Sequence, residues 1–355
     1  MRTVFVLGEY GPGGQYHPTA DIRLLRPLRH PSLAASLDVR DGLRVPAEHV
    51  DTIILERFWH TDITVAAAEE VVRQIRRRSS HFLYEIDDNL LDLGSDESGT
   101  NAIAVERQAV VRYFLRHADG VIACTPPLAE RLNALHDRVV VVPNALDEQL
   151  FPDVRERLEA RSDTPPTGPM VFGYMGTATH TSDLMMVLEP LRSVLRKYRG
   201  DVEFQLAEVT KDERVRKALD GLPVKPLTGP VSTQYRDYVP WAIANLRWDF
   251  GIAPLADTAL NRCKSDIKYL DYAVLGIPGI FSRCDAFDTT VDHGTTGLLC
   301  GPEPEEWHLA LERMMTQAHL RSRLALAAHD SVRPARLLAT KASDWLTAIE
   351  ALCQA

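Results

Sequence analysis

Asp249-Phe-Gly-Ile-Ala-Pro-Leu255, Asp266-Ile-Lys-Tyr-Leu-Asp-Tyr-Ala-Val-Leu275 and Gly276-Ile-Pro-Gly-Ile-Phe281 form the stretch on which the fold turns. The first is a short apolar run bounded by turn residues, which reads as a buried strand over Phe250–Leu255. The second carries apolar residues at helical spacing and is stopped by Gly276 and Pro278. A second apolar run, Gly279–Phe281, follows at once. Strand, helix and strand in so little chain describe a βαβ unit with parallel strands covered on both faces.

The alternation continues outward from that unit. Upstream lie strand-like Met170–Met175 and Val202–Val209, with helical segments Ser182–Lys197, Asp212–Leu219 and Thr233–Asn245. Downstream, Pro304 to Ala355 reads as mostly helical. The first half repeats the scheme, with strands at Thr3–Leu7, Thr52–Leu55, Phe82–Ile86, Gly120–Cys124 and Val139–Val142. Helices are expected at Thr19–Leu28, Ile63–Arg77, Ala102–Arg116 and Pro127–Leu135. The pattern breaks at Glu159-Ala-Arg-Ser-Asp-Thr-Pro-Pro-Thr-Gly-Pro-Met170, where proline and glycine oppose helix and ladder alike. The expectation is an α/β protein with two Rossmann-like domains facing across a cleft. Residues 1–160 would form the first, 161–330 the second, and 331–355 a helical tail packing back on the first.

A chain of 355 residues, 45% apolar and 25% charged, fits two ordinary domains and excludes a wholly disordered or fibrous protein. The net charge of −9 argues against nucleic acid as a partner. Five cysteines, odd in number and without CxxC spacing, argue against a zinc site or disulfide framework. The N-terminus lacks the apolar core of a secretory signal, and no run spans a bilayer. A cytoplasmic protein is expected, with membrane contact at most peripheral, through Arg73, Arg76, Arg77 and Arg78. Those arginines equally complement a helix C-terminus.

P-loop, serine-hydrolase elbow, zincin and dinucleotide-binding motifs are all missing, and no Asp-x-Asp pair is present. Four places remain that could carry chemistry. Gly8-Glu-Tyr-Gly-Pro-Gly-Gly14 follows the first strand, and its glycines suit either backbone approach to a phosphate or a tight turn. Tyr84-Glu-Ile-Asp-Asp-Asn89 ends a buried-type strand in acid. Mutual repulsion there can raise one carboxyl toward proton transfer, and a helix cap with solvated acids is the bland reading. Phe172–Leu184 is again strand, glycine turn and helix start, placing Gly176, Thr177 and His180 near any bound phosphate. Densest is Asn261–Asp271, where Lys264 and Lys268 stand four apart on one expected helical face and Asp271 three further on. Two ammonium groups suit a diphosphate and a carboxylate suits a ribose diol. An exposed ion-pair face is the alternative.

At this point the chain resembles GT-B glycosyltransferases, and among them the retaining nucleotide-sugar transferases grouped as family four. Val141-Val-Pro-Asn-Ala-Leu-Asp147 resembles the "V-P-N-G-V-D" that precedes that family's interdomain linker. Asp249–Leu255 is similar to its "D-V-F-V-L-P-S" strand and Asp271–Pro278 to "E-A-M-A-x-G-x-P". His293–Leu299 is similar to "D-G-x-x-G-L-L". The likeness spans nearly the whole chain in order, and Y-E-I-D-D-N with C-K-S-x-I-K-Y-L resembles a bacterial surface-polysaccharide branch (O-antigen or capsule).

The resemblance implies a nucleoside-diphosphate sugar as co-substrate and no cofactor or metal. It places the donor in the second domain, against Gly176 and Thr177 of the phosphate turn with His180 beyond it, Thr228 of the base-binding loop, and Asp271. Thr177 stands where the family has an Arg, and the family's downstream Lys has no clear match. Lys264 and Lys268, with Ser265, are therefore read from the residues as donor-site groups, the two lysines supplying the charge for the diphosphate instead. Gly13 and Gly14 would close over it. Asp271 matches the second Glu of the family's paired-Glu motif. The first falls at Cys263, which cannot replace a carboxylate. Asp87 lies where many members have a histidine near the reacting sugar, so Asp87, Asp88 and Lys264 are the catalytic candidates. In a retaining reaction the departing phosphate takes the acceptor proton, whereas in an inverting one Asp87 is the natural base. The acceptor would be a growing glycan or a lipid-linked oligosaccharide. Two rival readings are a sugar-nucleotide epimerase on the same fold and a non-catalytic scaffold that joins other glycan-assembly enzymes.

Overall fold

The computed structural model describes residues 1–92, 102–161, 168–176, 181–207, 213–230, 232 and 234–354. The first six strands are β1 (Arg2–Leu7), β2 (Leu37–Asp41), β3 (Val50–Glu56), β4 (Ser79–Ile86), β5 (Gly120–Ala123) and β6 (Val139–Val141). They form one parallel sheet in the order β2-β1-β3-β4-β5-β6. Next come β7 (Met170–Met175), β8 (Val202–Ala207), β9 (Val224–Leu227), β10 (Phe250–Ala253), β11 (Gly279–Ser282) and β12 (Leu298–Cys300). Their order is β12-β11-β10-β7-β8-β9, again parallel. The strand order reverses beside β1 in the first sheet and beside β7 in the second. In open α/β sheets such a reversal leaves a crevice at the strands' carboxyl ends.

Period-two alternation sorts the strand residues between two covered faces. In the first sheet Phe5, Leu7, Ile53, Leu55, Phe82, Tyr84 and Ile86 meet the helices Val65–Arg78, Ala102–His117 and Pro126–Asn133. Val4, Val6, Ile54, Leu83 and Ile122 point the other way, onto the C-terminal helix Leu338–Cys353 through Trp345, Ile349 and Leu352. Chain tail and first sheet are therefore one core. Between the two halves the backbone crosses twice at one place. The Leu146 amide donates to the Arg336 carbonyl at 2.8 Å, and the Leu338 amide to the Leu146 carbonyl at 2.9 Å.

Three strands escaped the sequence reading: β2, β9 and β12. All three are sheet edges, where charge, proline and short length are tolerated. Leu37-Asp-Val-Arg-Asp41 holds three charges, and Pro226 interrupts Val224–Leu227. Thr19–Leu28 is helical, but as a π-helical turn, Ala20–Leu25, running into Arg26–Leu28. Ser182–Lys197 divides at Val187 into Thr181–Met186 and Leu188–Lys197. The expected linker begins later than Glu159, because a helix covers Arg155–Arg161 and buries Val154 and Leu158 against Ala325.

Gly173 and Gly251 hold the centre of the second sheet open to large aromatic rings. A Cβ at Gly173 would lie 2.2 Å from Trp248, whose indole nitrogen donates to Gln205 at 2.8 Å. Gly173→Ala is expected to destabilise the fold by about 1–3 kcal/mol through overpacking, measured as a lower midpoint in urea unfolding at unchanged slope.

Candidate active site at the interdomain cleft

The carboxyl ends of β1, β3 and β4 gather five acids: Glu9, Glu56, Glu85, Asp87 and Asp88. Glu56 and Glu85 stand opposite each other in the β3–β4 register, and both are fully buried. Burial, with Glu85 beside it, pushes the Glu56 carboxyl well above the usual range, although the Glu9 amide donates to it at 2.8 Å. Burial likewise pushes Glu85 up to about 7, against the pull of the Arg23 guanidinium 2.8 Å away.

Two arginines organise these acids. Arg23, 1% exposed, donates to Glu85, to the Val142 carbonyl at 2.7 Å and to Asn144 Oδ1 at 3.0 Å. Its guanidinium also lies 5.0 Å over the Trp345 ring. Arg57 donates to Glu9 at 2.6 Å and to Asp87 at 2.5 Å, with Asp88 3.5 Å away. It holds a left-handed backbone, φ 49°, unusual for a residue with a Cβ. Its amide donates to the Glu85 carbonyl at 2.9 Å and its carbonyl accepts from the Tyr84 hydroxyl at 2.9 Å, which fixes that conformation.

This wall meets the second domain around a cavity of about 160 Å³, room for roughly five waters. Thr19, Arg23, Asp87, Asp88 and Asn144 line it from the first domain, and Pro254, Leu255, Lys264, Ser265, Lys268 and Phe287 from the second. The cavity therefore lies beyond β4 of one sheet and at the β7–β10 reversal of the other. Lys264 Nζ is 3.6 Å from Asp88 Oδ1, and the Asn144 amide donates to Ser265 Oγ at 2.7 Å. Lys268 sits 4.8 Å over the Tyr174 ring. Burial, reinforced by Lys264, lowers its ammonium to about 8.

Asp87, Asp88, Lys264, Ser265 and Lys268 are thus brought together, with one correction. Lys264 and Lys268 do not share a helical face. Lys264 is extended, following a 3₁₀ turn at Asn261–Cys263, and the helix opens only at Ile267. Asp271 does not line the cavity. It is buried in that helix, accepts from the Tyr235 hydroxyl at 2.7 Å, and burial raises its carboxyl to about 7.

Gly13 and Gly14 also lie outside the cavity lining. They adopt φ 92° and 72° at the tip of a small hairpin closed between Tyr10 and Tyr16, and the Gly14 amide donates to Gly11 within it. That hairpin replaces the expected strand-to-helix turn, because the glycines' positive φ reverses the chain. Gly176 ends the extended run after β7 with its amide on the Ala207 carbonyl at 3.2 Å, and Thr228 is exposed beyond β9. Neither lines the cavity. Thr177 and His180 lie outside the described residues.

Cys263 faces away from the cavity. Its side chain packs in the first domain's core and its carbonyl accepts from the Thr125 hydroxyl at 2.8 Å. Burial pushes its thiol up to about 11.

Sequence reasoning missed Arg23, Arg57, Thr19 and Asn144. Arg23 carried a readable signal, a charge inside the apolar run Ile22-Arg-Leu-Leu25. Asn144 lay within a quoted motif without an assigned role. Among the described residues no group of three or more His, Cys, Asp or Glu is placed to hold a metal, and no helix is long and apolar enough to cross a membrane.

Two Rossmann-like domains that face each other across a cleft, with strand-end crevices turned toward it, constitute the GT-B fold. Among solved structures the chain is similar to the Anabaena protein HepE in complex with UDP-glucose. That match has 14% identity and a TM-score of 0.66, over 99% of this chain and 100% of that one. It is similar to the sucrose-phosphate synthase of Thermosynechococcus elongatus, at 15% identity and TM-score 0.61, over 85% and 74% of the two chains. A glycosyltransferase from Rickettsia africae matches at 11% identity and TM-score 0.61, over 99% of each. No protein-family model matches the sequence, and no curated protein matches it in sequence.

Proposed function

We propose that this protein is a glycosyltransferase that moves a sugar from a nucleoside-diphosphate sugar to a hydroxyl of a growing bacterial glycan. The observation that carries the reading is one interdomain cavity in which two lysines from the donor-side domain face two aspartates from the other. Likeness to structures that include a UDP-glucose complex of HepE agrees with it.

Lys264 and Lys268 take the diphosphate. As the bond from the sugar's anomeric carbon to the diphosphate oxygen breaks, the electron pair leaves on that oxygen. The two ammonium groups stabilise the charge by preorganised electrostatics, without a metal. The acceptor oxygen bonds to the anomeric carbon and its proton passes to the departing phosphate, the retaining route. Asp87, held by Arg57, orients the acceptor hydroxyl.

Thermal unfolding with UDP-, GDP- and dTDP-sugars tests the reading, since a ligand of the native state raises the melting temperature. One of the three is expected to protect, and Lys264→Ala and Lys268→Ala are expected to reduce the protection. If both variants keep wild-type affinity, the donor site lies elsewhere. Turnover of the sugar nucleotide without any acceptor would favour an epimerase. Binding without turnover under any acceptor would favour a scaffold.

A further inference from the structure

We propose that Asp88 is a two-position carboxylate, which holds Lys264 until a nucleoside diphosphate arrives and then moves onto Arg57. The inference rests on reading the cavity as a nucleoside-diphosphate sugar site. Asp88 stands between two cations: Oδ1 is 3.6 Å from Lys264 Nζ and Oδ2 is 3.5 Å from Arg57 Nη1. Both separations exceed the 2.7–2.9 Å of a charge-assisted hydrogen bond. A small rotation therefore completes either pair.

Lys264 cannot withdraw from this contact by moving its backbone. The loop that carries it is fastened to the first domain on both sides. Asn89 donates to the Ala259 carbonyl at 3.2 Å, Thr125 to the Cys263 carbonyl and Asn144 to Ser265. The Cys263 side chain is buried among first-domain core residues. The ion pair between Asp88 and Lys264 is thus built into the way the domains dock.

A diphosphate entering the cavity brings negative charge to the same ammonium. Phosphate and Asp88 then repel each other in a partly desolvated space, where charges act strongly. Arg57, already within reach and anchored by Glu9 and Asp87, receives the displaced carboxylate. Asp88 consequently opposes donor binding, so its removal acts with the opposite sign to the removal of a donor-binding residue.

Isothermal titration with the tightest-binding of UDP, GDP and dTDP reads this directly. Asp88→Asn is expected to bind that nucleotide about two- to fivefold tighter than wild type, the range set by partly exposed ion pairs. In a Lys264→Ala background the gain is expected to shrink, since only the direct repulsion between Asp88 and the phosphate remains. If the wild type binds and Asp88→Asn, folded by its thermal transition, binds equally or more weakly, the two-position role is overturned. A gain that persists undiminished without Lys264 overturns it as well. If none of the three nucleotides binds the wild type, the reading of the cavity itself fails.

Discussion

Replacing Arg23 with methionine is expected to destabilise the protein by about 3–5 kcal/mol, the cost of stranding a buried charge. Arg23 is 1% exposed and Glu85 is fully buried, so water cannot take over the lost partner. The substitution also removes donors from the Val142 carbonyl and from Asn144, and the contact with Trp345. Because Asn144 reaches across to Ser265, the loop bearing Lys264 loses support at the same time.

The pH dependence separates charge pairing from packing. Glu85 is raised to about 7 in the folded protein from an ordinary value near 4.5. Its contribution to stability is therefore complete below about 4.5 and lost as pH rises through 7. Without Arg23 the folded value climbs further, so the deficit of Arg23→Met grows above pH 7 and shrinks toward pH 5. Urea unfolding of wild type and variant at pH 5.5 and 8 measures both. Equal losses at the two pH values would show that packing, not charge, is the source.

Lys268→Met is expected to weaken binding of the nucleoside diphosphate about 10- to 150-fold, the range for a hydrogen bond to a charged group. The same substitution is expected to raise the stability of the ligand-free protein. Lys268 is held at about 8, below the ordinary 10.5, by burial and by Lys264. For a base lowered in this way the cost of the charged form is present in full below pH 8 and disappears as pH rises toward 10.5. The gain in melting temperature should follow that window. Affinity in the wild type should fall as pH passes 8 and the ammonium deprotonates, and the variant should lack that decline. Calorimetric titration from pH 7 to 9, with melting curves over the same range, tests the pair. An affinity loss without stabilisation would mean that Lys268 is not desolvated in the free protein.

The central strands were legible because they are buried on both faces and read as largely apolar runs: Val4–Leu7, Thr52–Leu55, Phe82–Ile86 and Gly120–Ala123. Edge strands such as Leu37–Asp41 were not, since exposure lets charge into them. Asp87 and Asp88 stood out because acids ended a strand that apolar residues had begun. Arg57 did not, since its role depends on a strained backbone angle and on three acids 30 to 48 positions away.

By itself the sequence determined two parallel α/β units in order, a break near residue 160, and two lysines beside a glycine-terminated helix. Those follow from periodicity, turn chemistry and residue type, all of which act over a few neighbours. Only the tertiary structure decided that Lys264 leaves the helix and meets Asp88, that Cys263 turns into the opposite domain, and that Asp271 lies beneath Tyr235. The contacts of Lys264 and Cys263 depend on how two domains dock, across more than a hundred residues of chain. That of Asp271 depends on packing within the second domain, between residues 36 apart. In each case what decides is which side chains lose water when surfaces are brought together.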